Sequence, residues 1–289
     1  MNKGNILVSA MLVCIIGLWL TSCQKLSKPE LPKDYPTDNV VLPSGPLRFY
    51  LPFDSTSPED KQINVRFADS ISGYPSFFPD PSTTAAAGVR GTAYQGAFTT
   101  FLHYLNANDF ATTASSFTLS FWLNVTIDQK DHSNADGILA LASTTNFWSN
   151  ICVFADHEAS TSDSMQLKFH FANGTGDNWD FAGYTGNARW PHMYDGNWHN
   201  VVFVYDATGK TATLYRDGVQ FDQKLNETIV FDGNATQVIV GGFQEAVGIV
   251  DTYANNSWMS GFPGALDNIR LYNTALSATD VQNIYNNKQ

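Results

Sequence analysis

Apolar and polar positions alternate along most of the chain. Residues 116–125 place Phe117, Leu119, Phe121 and Leu123 on one side and Thr118, Ser120, Trp122 and Asn124 on the other. That period of two belongs to a half-buried strand. Residues 165–171 repeat the pattern, with Leu167, Phe169 and Phe171 inward and Lys168 and His170 outward. Residues 198–206 are apolar on both faces, as a central strand covered on both sides requires. A turn at 207–210 leads into residues 211–216 and so makes a hairpin. Asp217-Gly218 gives the next tight turn, because glycine accepts the positive φ of a type I′ turn. Residues 237–240 and 265–272 supply further strands. Only residues 277–286 predict a helix: Ser277 is the N-cap candidate, Asp280 follows three residues on, and Val281, Ile284 and Tyr285 form one stripe. Many short strands separated by turns predict an all-β, two-sheet antiparallel sandwich with one short C-terminal helix.

The N-terminal 45 residues follow a different pattern. Lys3 precedes an apolar run over residues 6–20, short for a membrane span and suited to a secretory signal peptide. The run ends in Leu20-Thr21-Ser22-Cys23, which resembles the lipobox of bacterial lipoproteins. The resemblance implies cleavage before Cys23 and acylation of its sulfur, and two or more acyl chains hold a protein stably on a bilayer. Residues 24–45 contain four prolines and no apolar period, the composition of an extended tether. The expected organisation is a signal peptide at 1–22, lipidated Cys23 with a linker to 45, and one folded domain at 46–289. The expected location is the cell envelope, at the outer membrane of a Gram-negative bacterium.

Cysteine and charge narrow the chemistry. With Cys14 in the signal peptide and Cys23 acylated, Cys152 stands alone in an apolar stretch and reads as a small buried hydrophobe. The chain carries 27 acids against 16 bases, a net charge of −11, and lacks a basic stripe with interleaved aromatics. Nucleic acid is therefore excluded as a partner.

Several segments resemble the laminin-G-like branch of the concanavalin A-like lectin/glucanase superfamily. They are Tyr50-Leu51-Pro52-Phe53-Asp54, Ser120-Phe121-Trp122-Leu123-Asn124, residues 198–206, residues 212–218 and, most specifically, the strand–turn–helix wording of residues 264–277. The resemblance covers roughly residues 47–286 and implies a jelly roll, with ligands that differ among members. Jelly-roll glucanases carry their two carboxylates in Glu-x-Asp-x-x-Glu, and none of the five glutamates here begins that pattern. Jelly-roll lyases use a Gln-x-His strand, and none of the six histidines completes one. Asp156, His157 and Glu158 form the densest remaining acid/base cluster, at the mouth of a Ser/Thr-rich loop. The chain is expected not to be an enzyme.

Sugars stack their apolar faces on aromatic rings while carboxylates and amides bond the hydroxyls. Residues 173–190 set Trp179, Tyr184 and Trp190 among Asp177, Asp180 and Arg189, and offer the best candidate platform. The same rings would equally staple a long loop onto the sandwich. Trp148 and Trp258 extend the argument in Asn/Ser-rich stretches, and Trp122 faces away from Phe117 and Phe121, where it either lines a sheet surface or serves the framework. The resemblance further implies a calcium ion between the first and last strands. Asp54 follows the first strand, and strict alternation puts Asp267 on the same face as Ala265, Ile269 and Leu271, toward the core. The expected function is non-catalytic glycan binding by an envelope lipoprotein, with adhesion to another protein as the alternative and an unrecognised hydrolase or lyase third.

Overall fold

The computed structural model describes residues 42, 44–54, 67–77, 80–131, 133–157, 161–174, 176–181, 189–232 and 236–288. Cys23, Tyr184 and Glu158 lie outside them.

Alternating segments become strands wherever one face meets the core. Among the described residues the first sheet contains β1 (Leu47–Leu51), β2 (Thr84–Ala87) and β3 (Thr92–Gln95). The second begins with β4 (Leu102–Tyr104), after which a single helical turn, α1 (Phe110–Thr113), leads back to β5 (Phe117–Asn124) of the first. The chain then crosses to β6 (Ala135–Leu141), β7 (Ile151–Ala155), β8 (Leu167–Asn173) and β9 (Gly176–Asp180). It returns through β10 (His199–Asp206), β11 (Thr211–Arg216) and β12 (Val219–Leu225), visits β13 (Val238–Val240) and β14 (Met259–Gly261), and closes with β15 (Ala265–Tyr272) and α2 (Ala278–Asn286).

The eight-stranded sheet runs β12-β11-β10-β5-β15-β3-β2, and the seven-stranded sheet runs β4-β13-β6-β7-β8-β9. β15 gives one edge to β5 and divides the other between β3 at its start and β1 at its end. Between these strands every pairing is antiparallel except that of β14 with β6. The result is the predicted two-sheet jelly roll. The turn residues behave as expected: Asp217 and Gly218 have φ of 52° and 77°, the type I′ signature. Ser277 caps α2 in a capping box, its hydroxyl accepting from the Asp280 N–H.

Aromatic rings from both sheets fill the space between them. Phe117 and Phe203 of one sheet meet Phe171 of the other, with ring centroids of Phe171 and Phe203 4.1 Å apart and stacked. Phe169 lies 6.0 Å from Phe203. These side chains have no exposed surface. β10 is covered on its second face as well: Val202 and Val204 pack with Tyr215 and with Val281 of α2.

On the eight-stranded sheet the framework reading of Trp122 holds, and the expected placing of Asp267 needs correction. Trp122 does face away from the core, but α2 covers it completely: its ring stacks on Tyr285 at 5.7 Å and it has no exposed surface. It lines no binding surface. Asp267 does not share a face with Ile269 and Leu271. The register shifts between Asp267 and Arg270, where Asn268 takes φ of 50°. This bulge breaks the alternation. Leu266, Ile269 and Leu271 reach the core, while Asp267 pairs with Trp122 and shares its outward side.

Removing a ring from the centre leaves a cavity the two sheets cannot close. Phe203→Ala is expected to lower unfolding stability by about 3–5 kcal/mol. Phe98→Ala, at a residue 43% exposed, should change it by less than about 0.5 kcal/mol. Urea unfolding followed by tryptophan fluorescence checks both.

Candidate functional site

The two sheets differ in what covers their outer faces. On the seven-stranded sheet, strand alternation turns Cys152 and Phe154 of β7, His170 of β8 and Trp179 of β9 outward, because their neighbours Ile151, Val153, Phe169 and Phe171 are held in the core. Two loops add to this face. Residues 143–149 bring Phe147 and Trp148, and residues 251–258 bring Tyr253 and Trp258.

Both loops are tied by side-chain hydrogen bonds. The fully buried Gln244 accepts from the Ser143 N–H and donates to the carbonyls of Asn146 and Phe147. Asn146 accepts from the Trp148 N–H at 2.7 Å, an Asx turn that sets the ring's direction. The Tyr253 hydroxyl accepts from the Phe243 N–H, and Asn256 donates to Asp251 and to the Thr252 carbonyl.

The outcome is one half-buried aromatic patch. Trp148 sits edge-on to Trp179 at 4.7 Å, 5.7 Å from Trp258, and stacked at 5.8 Å on Phe154. Phe243 joins Phe154 at 5.4 Å. The polar groups lie at its edge and floor. Asp177 is exposed and accepts from Asn146 at 2.7 Å and from His170 Nε2 at 3.0 Å. Burial pushes the Asp177 carboxyl up, but these two donors outweigh it and hold it below the usual carboxylate range. His170 is wholly buried, and burial pulls its imidazole below the usual histidine range despite Asp177. Glu245 is 2% exposed with Oε1 unpartnered, and burial raises its carboxyl to about 7. Its charge also raises the Cys152 thiol and the Tyr253 hydroxyl, two groups of this face.

The structure therefore unites Trp148, Trp179, Trp258 and Asp177, and separates other candidates from them. Trp190 is not a platform ring. It has no exposed surface, exchanges backbone hydrogen bonds with Met165, and stacks on Phe221 at 4.4 Å. Asp180 is also turned away: it pairs with the core residue Phe169, is 2% exposed, and burial together with Glu227 raises its carboxyl. Arg189 is half-buried beside Trp190. Cys152 is the buried thiol expected of it, pushed well up by burial. In the acid/base cluster, Asp156 holds Lys168 and lies 3.1 Å from His157 Nδ1. The outward alternation of His170 was legible in the sequence. Phe154, Glu245 and Tyr253 carried no comparable mark, since each joins the patch only through tertiary packing.

Asp54 and Asp267 occupy the other sheet. Asp54 is exposed and accepts from the Thr92 N–H at 3.0 Å. Gly91 is held at φ of 60°, and a Cβ there would come 1.9 Å from Asp54 Oδ1. Asp267 is fully buried; its Oδ2 accepts from the Val89 N–H at 2.8 Å while Oδ1 has no partner. Burial raises its carboxyl to about 7, with a smaller contribution from Asp54. An orphaned carboxylate oxygen near a second carboxylate suits the hard-oxygen chemistry of Ca²⁺. These two residues could hold the ion, with backbone carbonyls and water completing its shell.

The family match fits this picture. The model described as "Concanavalin A-like lectin/glucanases superfamily" matches residues 102–282, and the chain belongs to that superfamily. No curated protein matches the sequence. Among solved structures, domain 4 of AbnA, a GH43 extracellular arabinanase from Geobacillus stearothermophilus in complex with arabinotriose, is similar at a TM-score of 0.54 and 15% identity, covering 83% of this chain and 98% of that one. The receptor binding domain of botulinum neurotoxin C/D mosaic serotype is similar at a TM-score of 0.55 and 12% identity, covering 84% and 51%. The binding domain of Paraclostridial Mosquitocidal Protein 1 gives 0.52 and 16%, covering 84% and 52%. The chain thus spans about half the length of these toxin binding domains, and the likeness is one of fold.

Asp267 supplies a test of the cation. Its folded value of about 7 lies above the 3.8 of an ordinary aspartate, so without a metal its contribution falls as pH rises between them. In EDTA at pH 8, Asp267→Asn is expected to melt above the wild-type chain, by about 2–4 °C for each kcal/mol relieved. Added Ca²⁺ should raise only the wild-type midpoint. Scanning calorimetry checks this, and a wild-type midpoint indifferent to both EDTA and Ca²⁺ removes the ion from the site.

Proposed function

We propose that this member of the concanavalin A-like lectin/glucanases superfamily binds carbohydrate on the outer face of its seven-stranded sheet and does not cleave it. The observation that carries the reading is the single half-buried cluster of Trp148, Trp179 and Trp258, flanked by Asp177 and Asn146. Rings in such a cluster present apolar faces for pyranose or furanose rings, and rigid loops keep the entropy cost of binding low. Asp177 and Asn146, at the edge of the rings, would bond the hydroxyls of a bound sugar. The fold likeness to a domain solved with arabinotriose supports the same reading. So does the absence of Glu-x-Asp-x-x-Glu from the sequence. Acylated Cys23 would hold the domain at the outer membrane through the proline-containing linker, where it would capture polysaccharide. Calcium at Asp54 and Asp267 would brace the opposite sheet without entering the platform.

One observation favours a second reading. Asp177 and Glu245 lie on the same face, one carboxyl held low and the other raised to about 7. Carboxyls pushed apart in this way suit a base and an acid. A hydrolase built on them would release reducing ends from its substrate and lose that activity in Glu245→Gln.

Affinity electrophoresis against a panel of plant and microbial polysaccharides tests the leading reading. Trp179→Ala is expected to weaken binding by at least roughly tenfold, the scale of an aromatic hot spot. Trp190→Ala should instead lower the melting midpoint, since that ring fills the core. Retention on every polysaccharide after Trp179→Ala, or release of reducing ends by the wild-type chain, counts against the proposal.

A further inference from the structure

A groove lies on the eight-stranded sheet, where β1 runs beside β15. It has a volume of about 600 Å³, and its lining includes Tyr50, Arg90, Arg270, Tyr272 and Lys288, with Asp54 at one side. Three of the chain's 16 Lys and Arg residues thus share one groove in a protein of net charge −11.

Arg270 is the unusual member. It is 6% exposed, and its guanidinium lies 4.1 Å from the centre of the Tyr50 ring. Nη2 donates to Asn268 Oδ1 at 3.2 Å and Nη1 to the Asn268 carbonyl at 3.4 Å. The Tyr50 hydroxyl donates to the same Asn268 Oδ1 at 2.9 Å, which fixes ring and amide together. Among the described residues no carboxylate oxygen lies within 4.0 Å of this guanidinium. The two nearby acids are turned elsewhere, Asp54 to the Thr92 N–H and Asp267 to the Val89 N–H. A buried cation without an anion is costly, and an arginine carries five N–H donors in a planar fork that matches a carboxylate. Burial accordingly draws the Arg270 pKa below the usual arginine value.

We infer that this groove binds the carboxylate of an acidic sugar, a uronic acid unit, with Arg270 as the paired donor and Arg90 and Lys288 as flanking charges. The groove is many times larger than a lone carboxylate needs, and the Tyr50 and Tyr272 rings beside Arg270 offer surface for the sugar ring. The site is separate from the tryptophan patch, which faces out from the other sheet and carries Asp177 and Glu245.

The test is calorimetric titration of the full chain in detergent with a short oligogalacturonate and with its methyl ester. The acid form is expected to bind at least roughly tenfold more tightly than the ester, because only a charge-assisted bidentate pair separates them. Arg270→Gln should abolish that preference. Arg90→Gln, an exposed change that leaves the packing intact, should weaken acid binding by roughly twofold to fivefold. Trp179→Ala should leave the preference unchanged, which keeps this site distinct from the platform. The inference is overturned if acid and ester bind alike or not at all. It is also overturned if both arginine variants bind as the wild type does, or if acetate binds as tightly as the oligosaccharide.

Discussion

Everything on the surface of this protein depends on the stack of phenylalanines between its sheets. Phe171 of β8 and Phe203 of β10 meet at 4.1 Å, with Phe117 and Phe169 completing the contact. Because side chains alternate along a strand, holding one residue inward forces its neighbours outward. Phe169 and Phe171 therefore determine where His170 points, and His170 in turn meets Asp177 and Trp179 of the adjacent strand. A slip of one residue in β8 would put the imidazole into the core and the phenylalanines into water.

The outer faces then diverge for a simple reason of covering. Helix α2 lays Val281 and Tyr285 over β5, β10 and β11 and so closes that part of the eight-stranded sheet. Among the described residues no such helix covers the seven-stranded sheet. Its outward rings are instead covered only in part, by one another and by two loops braced through Gln244 and Asn256. An apolar surface left half open and held rigid is a place where a ligand's own apolar faces are favoured over water. Its acids are tuned in opposite senses, Glu245 upward by burial and Asp177 downward by its donors Asn146 and His170, which is why binding and hydrolysis are both chemically coherent readings of the same face.

The bulge at Asn268 shapes the other sheet in the same manner. It reverses the alternation of β15, so that a single local φ of 50° takes Asp267 out of the core and places it on the side of Trp122. The groove beside Tyr50 lies next to that irregularity. Without it, strict alternation would turn Asp267 toward the core with Ile269 and Leu271.

The sequence by itself determined the architecture: the alternating runs at 116–125 and 165–171, the doubly apolar run at 198–206, the Asp217-Gly218 turn and the capped helix at Ser277 were all legible, because each depends on contacts within a few residues. Trp148, Trp179 and Trp258 were legible as candidates, though not as partners. They are far apart in the chain and meet only when the loop before β7, strand β9 and the loop before β14 come together. Trp190 shows the converse: its Asn- and Gly-rich surroundings looked like those of an exposed ring, yet pairing with Met165 drew it into the core. Tertiary structure alone decided which tryptophans are exposed, that Trp122 lies beneath a helix, and that Asp267 faces outward. The first two depend on what covers a side chain from another part of the chain, the third on a bulge that shifts the register of β15, and local periodicity encodes neither.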